Sequence, residues 1–70
     1  MPKWIGVTSS NLQAVAYERG NLYIRFNTGA MYVYYDVPIE VAQALLDAES
    51  KGQFLHNEIK GVYDYSRLTT

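Results

Sequence analysis

Leu22-Tyr23-Ile24-Arg25-Phe26-Asn27-Thr28-Gly29-Ala30-Met31-Tyr32-Val33-Tyr34-Tyr35 is the stretch that decides the fold of this chain. Its residues alternate as they do in half-buried strands, and turn-forming residues interrupt the alternation at Asn27-Thr28-Gly29. The stretch holds four of the seven tyrosines in the chain. It predicts a β-hairpin, and the remaining elements can be placed relative to it.

Composition indicates one small domain. The chain has 70 residues, 49% of them apolar, and no cysteine. We therefore expect residues 1–70 to form one domain without disulfides, thiolate-bound metal or a cofactor. The apolar runs are shorter than the roughly 18 residues of a membrane span, and the first one is too short for a signal peptide. These features predict a soluble, cytoplasmic protein with no membrane association.

The charge of the chain limits the class of ligand. Six basic and seven acidic residues give a net charge of −1, and the basic residues are scattered along the chain. Proteins that grip a duplex usually carry a basic field, because each neutralised phosphate releases counterions. We therefore expect no binding to duplex DNA, whereas a short or small anionic ligand is compatible with this charge.

Two turns of similar sequence predict the register of the strands. Glu18-Arg19-Gly20 and Asn27-Thr28-Gly29 both end in glycine. A three-residue hairpin loop needs a left-handed residue at its third place, and glycine enters that conformation without strain. Loops of this length give the cross-strand pairs Tyr17 with Asn21 and Phe26 with Ala30.

This register divides the side chains between two faces of the sheet. A two-residue Thr28-Gly29 loop would instead move Tyr32 and Tyr34 to the other face. We prefer the first register because the two loops agree and one face then stays apolar. That face, predicted to meet the helices, carries Leu12, Ala14, Ala16, Leu22, Ile24, Phe26, Ala30, Tyr32 and Tyr34; the opposite face carries Gln13, Val15, Tyr17, Tyr23, Arg25, Met31, Val33 and Tyr35.

Two helices are predicted after the hairpin. Pro38 begins a helix over Ile39–Glu49 whose polar residues fall within one narrow stripe, so we expect burial over more than half of its circumference. Ser50 and Gln53 fit a capping box at the start of a second helix. Gly61 is expected to end that helix.

The predicted fold class is α+β, a three-stranded antiparallel meander with two helices packed on one face. Residues 3–7 and 63–68, near the two ends of the chain, are candidates for short edge strands, the second segment because its residues alternate. A strongly bent sheet that approaches a small barrel is the alternative.

A set of residues between about Val7 and Leu68 follows the pattern of a known family. The set comprises Ser9-Ser10, Tyr17, Leu22, Ile24, Phe26, Gly29, Tyr32-Val33-Tyr34, Asp36-Val37-Pro38, Ala48, Ser50, Gly52, Ile59-Lys60 and Tyr63. With the central Tyr-x-Tyr as its marker, this pattern resembles the KTSC domain.

The resemblance implies a link to RNA. The family is named for its occurrence at the C-terminus of some lysyl-tRNA synthetases, it also occurs as a stand-alone small protein, and RNA binding has been suggested from the synthetase context. This chain looks like the stand-alone form. It departs from the family at Phe54-Leu55-His56, where two aromatic residues and an asparagine are usual.

Several residues are candidates for ligand binding. Tyr17, Tyr23, Arg25 and Tyr35 are expected to share the outer face, where three aromatic rings and one guanidinium could stack a base and pair a phosphate. The same face is partly apolar, so it could equally pack across strands or form a dimer surface.

The marker tyrosines and one helix face are further candidates. Tyr32 and Tyr34 could stack bases, although the preferred register makes them core residues with hydroxyls at the rim. His56 lacks a positioned acid–base partner, and together with Lys60 at i+4 it could help to bind an anion. One histidine without cysteine is a poor set of metal ligands.

The function predicted from these residues is a non-catalytic binding module for a nucleotide-type ligand, either a short single-stranded RNA or a small nucleotide. Because 70 residues do not enclose a deep pocket, a small-ligand site would form between subunits, where the protein could sequester the nucleotide. The expected partners are therefore RNA or a small nucleotide and a second copy of the chain in a homo-oligomer. The alternative function is a protein–protein interaction or self-association module.

Overall fold

The structure, a computed structural model, describes residues 3–68. This part of the chain forms one antiparallel sheet of five strands, in the order β1-β2-β3-β4-β5, with two helices. The α+β class is therefore confirmed, but a three-stranded meander understates the sheet because β1 pairs with β2 and β5 pairs with β4. The strands are β1 Ile5–Gly6, β2 Leu12–Glu18, β3 Asn21–Phe26, β4 Met31–Tyr34 and β5 Tyr65–Arg67; the helices are α1 Ile39–Asp47 and α2 Lys51–Phe54, which the π-helical turn Leu55–Ile59 continues.

The turn between β2 and β3 differs from the prediction. Glu18 pairs with Asn21, so the loop has two residues, Arg19 and Gly20. Both have positive φ, 53° and 82°. This is the conformation of a type I′ turn, whose twist matches that of the flanking strands. The predicted three-residue loop is wrong here because Arg19, as well as the glycine, takes the left-handed conformation.

The one-residue change moves most of β2 to the opposite faces. Val15 and Tyr17 lie on the face that meets the helices, where Val15 is only 2% exposed. Ala14 and Ala16 lie on the other face. A bulge between Leu12 and Ala14 shifts the register by one residue a second time. Leu12 therefore lies on the face that meets the helices, as predicted.

The turn between β3 and β4 confirms the prediction. The Phe26 N–H donates to the Ala30 carbonyl at 2.9 Å, and Gly29 has a φ of +94°. Further along the hairpin, Ile24 pairs with Tyr32. The marker tyrosine pair therefore lies on the helix face, as expected from the three-residue loop.

The core lies between this face of the sheet and the helices. Two hydrogen bonds fasten the start of the helical segment to the first hairpin: the Val37 N–H donates to the Gly20 carbonyl at 2.8 Å, and the Tyr17 hydroxyl donates to the Val37 carbonyl at 2.5 Å. The buried cluster comprises Leu12, Val15, Leu22, Ile24, Tyr34, Val37, Ala42, Leu45, Leu55 and Ile59.

Helix α1 is less buried than its sequence suggests. Ala42 and Leu45 face the core, but Ile39 is 52% exposed and the helix ends at Asp47, two residues before the predicted end. The prediction that α1 is buried over more than half of its circumference is therefore wrong, as judged from the contacts within residues 3–68. The N-cap of α2 is confirmed, because Ser50 Oγ accepts a hydrogen bond from the Gln53 N–H at 3.3 Å. Within the described residues, neither helix has the length and apolarity needed to cross a membrane.

Candidate ligand-binding groove

A groove opens between the helix face of the sheet and the end of the π-helical turn. Its volume is about 490 Å³, within the roughly 300–1,000 Å³ typical of small-molecule sites. One chain therefore provides a groove of this size without a second subunit. We call it the aromatic groove; it is lined by Phe26, Thr28, Ala30, Tyr32, Tyr34, Lys60, Gly61 and Tyr65.

Pairing of β4 with β5 builds the aromatic wall of this groove. Tyr65 lies opposite Tyr34, and its ring centroid is 5.7 Å from that of Tyr34 and 5.8 Å from that of Tyr32. Phe26 meets Tyr32 edge-on at 5.6 Å. These are ordinary separations for interacting aromatic rings. Because Tyr34 is 2% exposed and Tyr65 is 59% exposed, Tyr65 is the ring on which a planar ligand could stack.

Two cations stand over this wall. Lys60 Nζ lies 5.9 Å from the Phe26 ring centroid, and Arg67 Cζ lies 5.8 Å from that of Tyr32. None of the described lining residues is acidic. The groove therefore offers a locally positive surface, although the net charge of the whole chain is −1.

The π-helical turn positions Lys60 at the groove. The Lys60 N–H donates to the Leu55 carbonyl five residues earlier, at 2.9 Å, which widens the last turn. Gly61 follows with a φ of +78° and reverses the chain, as glycine commonly does after a helix. This reversal leads the chain back to β5, so Lys60 and Tyr65 line the same groove. The predicted end of the helix at Gly61 is confirmed.

The surroundings of Tyr34 in the wall affect its ionisation. The pKa of the Tyr34 phenol is raised, mainly by burial of its ring and further by the neighbouring Tyr32 and Tyr65. Tyr34 thus stays neutral well into the alkaline range. Its hydroxyl remains a hydrogen-bonding group rather than an anion that would repel phosphate.

A smaller cavity continues the groove towards the start of β2. Its volume is about 220 Å³. It shares Phe26, Thr28 and Lys60 with the aromatic groove, and its other lining residues are Asn11, Leu12, Gly52 and Leu55.

A protein-family model, that of the KTSC domain, matches residues 8–63 of this chain. This chain belongs to the KTSC domain family. A KTSC domain protein of Yersinia pestis, known from its crystal structure, superimposes with a TM-score of 0.91 at 28% identity and covers 99% of this chain and 100% of that one.

Relatives of this KTSC domain are of two kinds. A lysine–tRNA ligase of Nostoc sp. is 39% identical over 62 residues, which span 86% of this chain and 11% of the ligase. An uncharacterized protein of Stutzerimonas stutzeri is 40% identical over 69 residues, which span 94% of this chain and 97% of that protein. This chain thus spans about a tenth of the length of the lysine–tRNA ligases it matches. The resemblance to the family is confirmed, and its members include small proteins of about this length.

Three of the predicted site residues meet in the aromatic groove. Tyr32 is half-buried in its wall, Tyr34 is buried behind it, and Lys60 stands at its helical side. His56 is exposed but does not line the groove, although it lies on the same helical segment as Lys60. The pairing of His56 with Lys60 around one anion therefore stays a prediction, and any such anion would lie outside the aromatic groove.

The predicted outer patch does not form as a unit. Tyr17 lies on the helix face with its hydroxyl bonded to Val37, because the two-residue turn shifts β2 by one residue. Tyr23 and Arg25 remain on the outer face, where Arg25 Cζ lies 4.6 Å from the Trp4 ring centroid and Tyr23 meets the same ring at 6.3 Å.

Tyr35, the fourth member of that patch, follows the end of β4 and is 37% exposed. Its N–H donates to the Asp64 carbonyl at 2.9 Å, so its backbone joins the segment that leads to β5. Tyr17 and Tyr35 thus each make a hydrogen bond that joins distant parts of the fold: Tyr17 to Val37 before α1, and Tyr35 to Asp64 before β5.

Five lining residues of the groove, among them Phe26 and Tyr65, were not predicted as site residues, and neither was Arg67, which lies over the Tyr32 ring. Phe26 was assigned to the core face, and Tyr65 and Arg67 only to a candidate edge strand. The alternation of Tyr63, Tyr65 and Arg67 in the sequence places Tyr65 and Arg67 on one face of the last strand. The register of that strand with β4 then puts this face on the side of the marker tyrosines. Among residues 3–68 no group of three or more histidine, cysteine or acidic side chains could hold a metal ion.

Proposed function

We propose that this KTSC domain is a non-catalytic binding module for a nucleotide-type ligand, a short single-stranded RNA or a small nucleotide, and that the aromatic groove is its site. One observation supports the proposal above others: the groove of about 490 Å³ combines aromatic rings with a lysine and lacks acidic lining residues. Base stacking on aromatic side chains and cationic contacts to phosphate are the two interactions that such ligands need.

Each part of the ligand has a matching part of the groove. The exposed ring of Tyr65 is suited to stack a base, and Tyr32 supports that ring from behind at 5.8 Å. Lys60 and Arg67 provide cations within reach of a phosphate attached to the stacked nucleoside. The described lining residues include neither histidine nor carboxylate, so they offer no conventional acid–base pair, which favours binding over catalysis.

The relatives are consistent with this proposal. Some are lysine–tRNA ligases, whose name specifies an RNA substrate, and the matched segment forms about a tenth of their length. An accessory domain that holds single-stranded RNA would fit such an enzyme. A small protein of the same family could hold an oligonucleotide or nucleotide by the same surface.

Calorimetric titration with single-stranded oligonucleotides and nucleotides at low salt tests the proposal. Lys60→Gln should weaken binding by roughly 2- to 5-fold, since an exposed charge contact contributes up to about 1 kcal/mol. It should also reduce the slope of log affinity against log salt by about 0.7, the value for one phosphate contact on a single strand.

Arg25→Gln is the matched control. It removes one cation from the other face of the sheet, where Arg25 packs on Trp4. Its affinity and salt slope should equal those of the unmodified protein. A loss with Arg25→Gln and none with Lys60→Gln would move the site to the outer face, and no binding by any nucleic acid ligand would reject the proposal.

Self-association or docking on a protein partner is the second candidate function. Its support is the exposure of large apolar side chains in different parts of the chain, including Ile39 of α1 at 52% and Val62, in the turn before β5, at 61%. Sedimentation equilibrium over a range of concentrations tests the homo-oligomer directly. A monomer at all concentrations would argue against self-association.

A further inference from the structure

The smaller cavity beside the aromatic groove suggests how long the ligand is. At about 220 Å³ it is smaller than the roughly 300 Å³ at which independent ligand sites begin. It shares Phe26, Thr28 and Lys60 with the aromatic groove. A ligand that fills the groove can therefore extend into this cavity past Lys60.

We propose that the ligand is at least a dinucleotide, with one base in the aromatic groove, the linking phosphate at Lys60 and the adjacent nucleotide in the smaller cavity beside Asn11. This inference rests on the proposed function and adds the direction and minimum length of the ligand. Lys60 is the cation common to both sets of lining residues, which suits it to the phosphate that joins the two nucleotides.

Hydrogen bonds fix the backbone of Asn11, which lines the smaller cavity. Its N–H donates to Ser9 Oγ at 3.2 Å, and its carbonyl accepts from the Asn27 N–H at 2.8 Å. The Asn27 side-chain amide in turn donates to the carbonyls of Ser9 and Ser10 at 3.2 and 3.0 Å. The Ser9-Ser10 pair thus belongs to a network that fixes the backbone of Asn11.

The side chain of Asn11 lies over Gly52 of α2. A Cβ placed on Gly52 would stand 2.5 Å from Asn11 Nδ2. The side-chain amide of Asn11 can therefore occupy this position only because residue 52 is glycine. A carboxamide offers both donors and an acceptor, the groups that read the edge of an unstacked base. Thr28, which lines both cavities, adds a hydroxyl near the linking phosphate.

The charge of the residues that line the aromatic groove and the smaller cavity favours an anionic ligand in both. None of the described residues that line either cavity is acidic. A third cavity, on the other side of α2, is lined by Glu49 and Glu58 as well as Asn57. It provides a control asparagine in a surrounding that should repel phosphate.

The test compares adenosine and uridine 5′-monophosphates with the dinucleotides ApA and UpU, by calorimetry at low salt. The dinucleotide should bind at least about tenfold more tightly than the mononucleotide. Asn11→Ala should reduce this advantage by about 5-fold or more, because a good amide–base contact is worth about 5- to 150-fold in affinity. It should leave mononucleotide binding unchanged, and Asn57→Ala should change neither affinity.

Gly52→Ala is a second variant that preserves the fold. Alanine is the better helix former, and the clash falls on the end of an exposed side chain that can swing away. It should reduce the dinucleotide advantage as Asn11→Ala does. Equal affinities for mononucleotides and dinucleotides, or equal losses of both with Asn11→Ala, would overturn this inference and leave the proposed function standing. If neither ligand binds, the proposed function itself fails.

Discussion

Replacement of Tyr65 by alanine tests the aromatic groove most directly. Tyr65 is 59% exposed and contacts the rings of Tyr32 and Tyr34 at 5.8 and 5.7 Å. Stacking of one base on an aromatic side chain is worth about 1–3 kcal/mol by alanine substitution, so the affinity for a single-stranded oligonucleotide should fall by roughly 5- to 150-fold.

The same substitution should cost much less in folding. An aromatic pair contributes about 0.5–1.5 kcal/mol, and the exposure of Tyr65 places each of its two ring contacts at the lower end of that range, about 0.5 kcal/mol. We therefore expect a loss of roughly 1 kcal/mol in the free energy of unfolding, small beside the roughly 3–10 kcal/mol of a domain of this size. Urea denaturation followed by far-UV circular dichroism measures this change.

Tyr23→Ala is the matched control for affinity. Tyr23 is a half-buried strand tyrosine with one ring contact, to Trp4 at 6.3 Å, on the other face of the sheet. Its removal should leave oligonucleotide affinity within about twofold of the unmodified protein. The assignment of the groove is refuted if Tyr65→Ala binds as well as the unmodified protein, or if Tyr23→Ala loses as much affinity.

Three further substitutions or conditions test the geometry. Tyr17→Phe removes the hydroxyl that donates to the Val37 carbonyl and should lower the free energy of unfolding by about 1 kcal/mol, measured in urea, whereas a tyrosine on the outer face would lose nothing. Gly29→Ala places a side chain at a φ of +94° and should cost about 1–2 kcal/mol in the same assay; an unchanged midpoint would contradict the left-handed turn. The folded protein holds the pKa of Tyr34 above its ordinary value, so it binds more protons than the unfolded chain in the alkaline range. Stability should therefore fall as the pH rises above about 10, and Tyr34→Phe should show a shallower fall in thermal midpoint over that range.

Local sequence was sufficient to predict the β3–β4 hairpin and the two ends of the second helical segment. The Asn27-Thr28-Gly29 loop has one left-handed position, which its glycine satisfies, and the predicted pairing of Phe26 with Ala30 follows. The Ser50 cap and the end of the second helix at Gly61 were also predicted correctly, because hydrogen bonds between residues at most five positions apart determine them.

The first hairpin shows where such reasoning stops. Its sequence, Glu18-Arg19-Gly20, carries one glycine, and nothing local requires Arg19 to adopt a φ of 53° as well. Packing decides it: the two-residue turn places Val15 in the core and lets the Tyr17 hydroxyl reach the Val37 carbonyl. Predicting this loop one residue too long assigned most of β2 to the wrong face of the sheet. The predicted outer patch, which needed Tyr17 on the outer face, therefore does not form.

What the sequence alone determined about this protein is its fold class, the hairpin with Tyr32 and Tyr34 turned towards the helices, and its likeness to the KTSC family, because alternation, turns and caps are properties of neighbouring residues. Tertiary structure alone decided which side chains meet in the aromatic groove. Tyr65 comes beside Tyr34, and Lys60 beside Phe26, through the pairing of β5 with β4 and the packing of the π-helical turn on the sheet. Contacts between residues more than 30 positions apart depend on the path of the whole chain, which no local pattern specifies.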